Sequence, residues 1–259
     1  MQDNRILSFI FKYHIVWLLE IKSSLRFGVP GYIVYLNPSK VNDKRGGVAL
    51  LVKASLLDYM YNIDMSVEDQ IWFQLRYYPE YVFGGVYIPP EDSLYFDQAL
   101  FGSLNAKMGN FSKAIIMGDF NARVSKPNLL DAEGVQYTYR GIKDFVLNNN
   151  GKQLIDLCSN CDCVVANHLA VNDKQFGGDL SYRKGPDWIS ELDLCLLKGN
   201  SLTVLQSVEI DHDVQGSDHA PLSVALKFNT LRDIATSVTL DRASNLGVFC
   251  IFRGEKYNN

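Results

Sequence analysis

A succession of short apolar runs, each opening or closing on a hydrophilic or turn-forming residue, constrains this chain more than any other feature. Ile15-Val16-Trp17-Leu18-Leu19 stops at Glu20, Val48 to Val52 follows Gly46-Gly47, and Ala114 to Met117 leads into Gly118-Asp119. Runs of this length read as strands covered on both faces. Further strands are expected at 70–78 and 81–88, divided by a turn at Pro79-Glu80, and at 162–167, 191–198, 202–211 and 222–228. Pro89 and Pro90 end the second of these, because proline cannot donate to a ladder. Helices are expected over 4–13, over 92–108 and over 141–160. The second places Leu94, Phe101, Leu104 and Met108 near one face, with Asp92 or Ser93 as its cap. The third is broken at Asn148-Asn149-Asn150-Gly151. Strands and helices do not alternate strictly, which argues against a Rossmann sheet or a barrel and favours mixed sheets covered by helices. Patterning fades after residue 228. Residues 229–259, in which only Val248–Phe252 is apolar, are expected to form a poorly ordered tail.

Bulk properties narrow the function classes. The 259 residues are 47% hydrophobic, with 14 Phe and 14 Tyr, enough for one large α/β core. A net charge of −4 argues against a generally basic nucleic-acid binder, so phosphate recognition would need a cation and local Lys or Arg. The five cysteines are odd in number and unevenly spaced, as free thiols of a reducing compartment are. Cys158, Cys161 and Cys163 lack a second Cys/His half for zinc and read as a helix end running into a buried strand. The apolar stretch from Ile6 to Leu19 is interrupted by Lys12 and His14 and lacks a small-residue cleavage site. An intracellular protein, nuclear or cytoplasmic, with no membrane partner and no obligate protein partner, is expected.

Two motifs carry the chemistry. Gly118-Asp119-Phe120-Asn121-Ala122-Arg123 follows one strand, and Gly216-Ser217-Asp218-His219-Ala220-Pro221-Leu222 precedes another. Together they offer carboxylates, an amide and an imidazole at strand ends, a set suited to metal-assisted hydrolysis of a phosphate ester. Each has a bland alternative. Asp-Phe-Asn after a strand is often a turn, a lone Asp-His pair is often surface, and His14, His168 and His212 read as structural or surface residues.

Leu18-Leu19-Glu20-Ile21-Lys22, Arg45-Gly46-Gly47-Val48-Ala49-Leu50, Val86-Tyr87-Ile88-Pro89-Pro90 and Glu191-Leu192-Asp193-Leu194 join these two motifs in a fixed order. In that order the chain, over roughly 10–228, resembles the endonuclease/exonuclease/phosphatase superfamily. It looks most like the endonuclease domain of LINE-type (non-LTR) retrotransposons, related to apurinic/apyrimidinic endonucleases. The resemblance implies a four-layered α/β sandwich, with two mixed sheets face to face and helices outside, and a phosphodiesterase using Mg2+ or Mn2+ to nick DNA. It implies metal binding by Glu20 and Asp218. Catalytic roles fall to Tyr87 (phosphate oxygen), Asp119 and Asn121 (water and scissile phosphate), Asp193 (orienting the histidine) and His219. Arg123 is expected to meet the nucleic acid. The family begins with a strand ending in a metal-site asparagine. Here Met1 opens on the following helix, so a first strand and one ligand are expected to be absent from the domain 1–228. Two other readings stay open: a phosphatase or phospholipase acting on a small substrate, and a catalytically inactive remnant.

Overall fold

The apolar runs form strands because each finds cover on both sides. The computed structural model describes residues 4–21, 27–38, 47–127, 136–214, 217–228 and 246–253. In chain order these form α1 (Asn4–Ile10), β1 (Ile15–Leu19), β2 (Tyr32–Asn37), β3 (Val48–Lys53), β4 (Met60–Asp64), β5 (Gln70–Leu75) and β6 (Tyr78–Tyr87). Next come α2 (Ala99–Gly109), β7 (Lys113–Asp119), β8 (Thr138–Tyr139), α3 (Asn149–Cys161), β9 (Cys163–Val165), β10 (Leu169–Val171) and β11 (Lys174–Gln175). The chain continues through β12 (Tyr182–Lys184), β13 (Asp187–Ser190), β14 (Asp193–Lys198), β15 (Leu205–Ile210), β16 (Leu222–Leu226) and β17 (Leu246–Arg253).

Two six-stranded mixed sheets dominate, ordered β15-β16-β17-β1-β3-β2 and β4-β5-β6-β7-β14-β9. Alternation along β1 and β3 sorts side chains between two apolar clusters. Ile15, Trp17, Leu19, Val48, Leu50 and Val52 join the core shared with the second sheet, whereas Val16, Ala49 and Leu51 join Phe9, Ile10 and Tyr13 around α1. On the far face of the second sheet, α2 is tied down by Gln70 Nε2 to Ser103 Oγ (2.8 Å) and by Lys198 Nζ to the Met108 carbonyl (2.7 Å). The result is the expected four-layered α/β sandwich. Where the sheets meet, Trp17 stacks on Phe73 with ring centroids 5.8 Å apart. Its indole fits because residue 85 is glycine: a Cβ there would lie 1.9 Å from Trp17 Cδ1.

Five expectations need correction. The turn expected at Pro79-Glu80 lies earlier, at Arg76-Tyr77, and Pro79 and Glu80 stand inside β6. The helix over 92–108 begins only at Ala99, after turns from Pro90 to Ser93 and from Ser93 to Phe96. Asp97 Oδ1 accepts the Ala99 N–H at 2.8 Å, so neither Asp92 nor Ser93 is the starting residue, and Leu94 is 97% exposed. The 141–160 segment is helical only from Asn149. The apparent break at Asn148 is its start, with Asn148 Oδ1 accepting the Gly151 N–H at 2.8 Å. The strand at 202–211 is shortened because Gly199–Val204 is a 3-10 helix. Finally, Leu246–Arg253 pairs parallel with β1 and antiparallel with β16, inside a sheet and not in a loose tail. Residues 229–245 and 254–259, and the Arg45-Gly46 part of the family-like segment, lie outside the described residues.

Helix α3 does run through Cys161 into the buried β9, with Asp162 in the left-handed region (φ 54°) at the turn. Cys158, Cys161, Cys163 and Cys195 are free and buried. Burial pushes the Cys158 thiol up to about 12, which keeps it protonated and a poor nucleophile.

Candidate active site

Register places the motif residues at one end of both sheets. In the second sheet β6 and β7 run parallel with Tyr87 opposite Asp119, and β14 runs antiparallel with Asp193 opposite Asp119. Tyr87, Asp119 and Asp193 therefore form a row across three adjacent strands. In the first sheet Glu20 follows the last residue of β1, and His219 lies just before β16, whose start is level with the end of β1 through β17. The two rows face one another across the sandwich edge.

The side chains meet there. His219 Nδ1 lies 2.7 Å from Asp193 Oδ2, and its Nε2 lies 4.0 Å from Asp119 Oδ2. Ligand atoms of Asp119, Asp193 and His219 all fall within 4.8 Å of one another, and all three residues are buried. The Tyr87 hydroxyl donates to Glu20 Oε1 at 2.5 Å, which brings the first sheet's carboxylate to the second sheet's row. Two carboxylates buried beside one imidazole repel each other, and a cation in such a place offsets that repulsion. The donor set, rich in carboxylate oxygen, fits a hard divalent ion.

Backbone and neighbours hold this arrangement. Ser181 Oγ accepts the Leu192 and Asp193 N–H groups, both at 3.0 Å, and Ser217 Oγ accepts the His219 N–H at 3.0 Å. The Tyr182 ring packs against the imidazole at 5.1 Å. Glu20 (φ 53°) and Asn121 (φ 45°) both sit in the left-handed region, which costs a non-glycine residue about 1–3 kcal/mol and is concentrated at functional positions.

Other candidate residues are placed less directly. Asn121 gives one amide hydrogen to the Ile88 carbonyl (2.9 Å), and its own N–H goes to Asp119 Oδ1 (3.0 Å). Asp218 is half-buried beside His219, and its carbonyl accepts the Arg183 N–H at 2.9 Å. Arg123, expected to face nucleic acid, spends its guanidinium on the buried Asp144, with Nε to Oδ2 at 2.8 Å and Nη2 to Oδ1 at 2.7 Å.

Sequence reasoning missed a buried network behind this row. Asn167 Nδ2 donates to Glu191 Oε1 (2.9 Å) and to the Asp193 carbonyl (3.1 Å), while its Oδ1 accepts the Cys195 N–H (2.9 Å). His168, expected at the surface, is 4% exposed and lies 3.1 Å from Glu191 Oε2. No local pattern distinguishes these residues, because their partners lie 23–28 positions away. Asn148, read from the sequence as a helix break, carries a signal that points to its actual place, an asparagine before a helix. It also accepts the Arg123 N–H (2.9 Å) and donates to the Asn121 carbonyl (2.9 Å), strapping α3 to the loop that follows Asp119.

Comparison with known proteins bears on the fold and the family. No curated protein matches the sequence. The fold is shared with AP endonuclease LMAP from Leishmania major, at 13% identity over 88% of this chain and 83% of that one, with a TM-score of 0.67. It is shared with the endonuclease domain of TRAS1, a telomere-specific non-LTR retrotransposon, at 16% identity over 87% and 91%, TM-score 0.59. It is shared too with the 3'-5' exonuclease NExo from Neisseria meningitidis, at 14% identity over 87% and 96%, TM-score 0.58. The sequence profile described as endonuclease-reverse transcriptase matches residues 81–223, which span Tyr87, Asp119, Asn121, Asp193 and His219. More than half of the chain thus carries that signature on this fold, and the chain belongs to the endonuclease–reverse transcriptase family of the endonuclease/exonuclease/phosphatase superfamily.

Proposed function

We propose that this protein is a divalent-metal-dependent phosphodiesterase that nicks DNA, with Mg2+ or Mn2+ as cofactor, and that it derives from a retrotransposon endonuclease. The observation that carries the reading is the convergence of Asp119, Asp193 and His219 within 4.8 Å, beside the Glu20–Tyr87 pair. Solved proteins of the same fold described as endonucleases and an exonuclease support DNA as the substrate class.

Hydrolysis of a phosphodiester demands a barrier reduction of roughly 20 kcal/mol, most of it from positioning and electrostatics. Glu20, Asp218 and Asp119 offer the oxygen ligands for the cation, which when bound supplies a Lewis acid for the phosphate charge. Asp193 occupies His219 Nδ1, so the imidazole exchanges its proton at Nε2, on the side of Asp119. Asp119 orients the attacking water. The second amide hydrogen of Asn121 is an uncharged donor for a phosphate oxygen, and the Tyr87 hydroxyl would become one where a cation takes its present acceptor, Glu20. The catalytic unit comprises residues 1–228 together with β17.

The test is nicking of supercoiled plasmid by the full chain in millimolar Mg2+ or Mn2+, with an EDTA control and the His219→Ala variant. Metal-dependent nicking lost in the variant supports the reading. Hydrolysis of inositol phosphates or sphingomyelin without nicking would favour the small-substrate alternative. No hydrolysis in either metal, together with no metal-dependent thermal shift, would mark the chain as an inactive member.

A further inference from the structure

Next to the catalytic loop the chain exposes an apolar point that no part of the catalytic arrangement uses. Phe145 is 77% exposed, Val146 and Leu147 are each 44% exposed, and Ile189, from the β12–β13 hairpin, is 42% exposed. The point is rigid. Asp144, 4% exposed, accepts the Arg123 guanidinium, the Val146 N–H (3.1 Å) and the Glu191 N–H (3.1 Å). Leu147 bridges to Val124, and Arg123 Nη2 reaches the Ile189 carbonyl at 3.4 Å. The loop is thereby fastened to two strand ends of the second sheet's row: to the one bearing Asp119 and Asn121, and to the segment leading into Asp193.

Its surroundings suit a polyanion. The adjoining hairpin carries Arg183, whose guanidinium lies 5.5 Å over the Trp188 ring, and the exposed Lys184, and it touches the active site where Tyr182 bridges to His219. A fixed aromatic tip between a phosphodiester-cleaving centre and a cationic, aromatic hairpin matches the wedges that DNA-binding proteins press between base steps. We propose that Phe145 is a base-contacting wedge that stacks against the bases of duplex DNA beside the scissile phosphate. Val146, Leu147 and Ile189 close the contact around it, and Arg183 and Lys184 hold the flanking phosphates. The proposal rests on the nuclease reading above and assigns to that site its contact with the base stack. Because Asp144 and Arg123 lock the loop before any ligand arrives, little ordering entropy opposes insertion.

The experiment compares the full chain with Phe145→Ala and Phe145→Trp. Binding to a duplex bearing 2-aminopurine at successive positions is measured in EDTA, plasmid nicking in Mg2+, and molecular mass by sedimentation. The expected result is duplex affinity reduced about 5- to 100-fold in Phe145→Ala, by loss of a single stacking contact. Affinity should return in Phe145→Trp, with the tryptophan emission quenched and 2-aminopurine fluorescence changed only next to the nicking site. A wild-type chain that nicks DNA while Phe145→Ala binds and nicks equally well overturns the wedge and leaves the nuclease reading standing. A wild-type chain that neither binds nor nicks DNA overturns both. A wild-type dimer that Phe145→Ala converts to monomer assigns the patch to self-association and overturns the wedge.

Discussion

Replacing Asp193 by Asn isolates the contribution of one buried charge to the proposed chemistry. His219 is 2% exposed, so no water can replace a lost partner at Nδ1, where Asp193 Oδ2 stands 2.7 Å away. The amide is isosteric, and the Asp193 backbone stays fixed by Ser181 Oγ and Asn167 Nδ2, so the geometry survives. What disappears is the negative charge that stabilises an imidazolium and selects the tautomer with its proton on Nδ1. Hydrogen bonds to charged groups contribute about 1.5–3 kcal/mol. At about 1.4 kcal/mol per decade, the nicking rate should fall about 10- to 150-fold. The assay is single-turnover nicking of supercoiled plasmid in Mg2+, with circular-dichroism melts to establish equal folding. A folded Asp193→Asn protein nicking within twofold of wild type would refute the claim that this carboxylate acts on the histidine.

Four further outcomes follow from the same geometry. Glu20 has φ 53°, so Glu20→Gly should be more stable than Glu20→Ala by about 1 kcal/mol in urea, and equal stabilities would deny a left-handed backbone there. Gly85→Ala puts a methyl 1.9 Å from Trp17 Cδ1 in a buried interface and should cost about 1–3 kcal/mol, read as a lowered urea midpoint. Removing residues 229–259 bares the edges of β1 and β16. Losing ladder bonds on both sides at about 0.5–1.5 kcal/mol each should cost several kcal/mol, whereas an unchanged melting temperature would restore the tail reading. The Lys107 ammonium holds the Asp64 carboxyl at about 2, below its usual value, so its stabilisation is complete above pH 5 and fades as pH falls from about 4 to about 2. The pair is partly exposed and contributes no more than about 1 kcal/mol. The melting-temperature gap between wild type and Asp64→Asn should therefore be small at pH 7, narrow as pH falls through about 4, and close only below about pH 2.

Much of the site was legible because its residues sit where strands end, and short apolar runs mark strand ends by themselves. Asp119 after Ala114–Met117 and Glu20 after Ile15–Leu19 need only the rule that a charge cannot continue a doubly buried strand. Arg123 was misleading for an equally physical reason. A charged residue two places beyond Asn121 looks available to substrate until Asp144, 21 residues later, folds back and takes its guanidinium. His168 was misjudged because its partner Glu191 lies 23 residues away. Leu94 looked like part of a helix face because helical spacing counts residues, whereas Asp97 decides where the helix starts.

What the sequence determined by itself is local. Apolar alternation and length specify which segments are strands and which of their faces are apolar, and the small, flexible or capping residues specify where those segments stop. What tertiary structure alone decided is non-local: that Glu20 and His219 on one sheet meet Tyr87, Asp119 and Asp193 on the other. It also decided that a C-terminal strand completes the sheet beside β1. Pairing register and sheet-on-sheet packing depend on contacts between residues far apart in the chain, which no window of sequence contains.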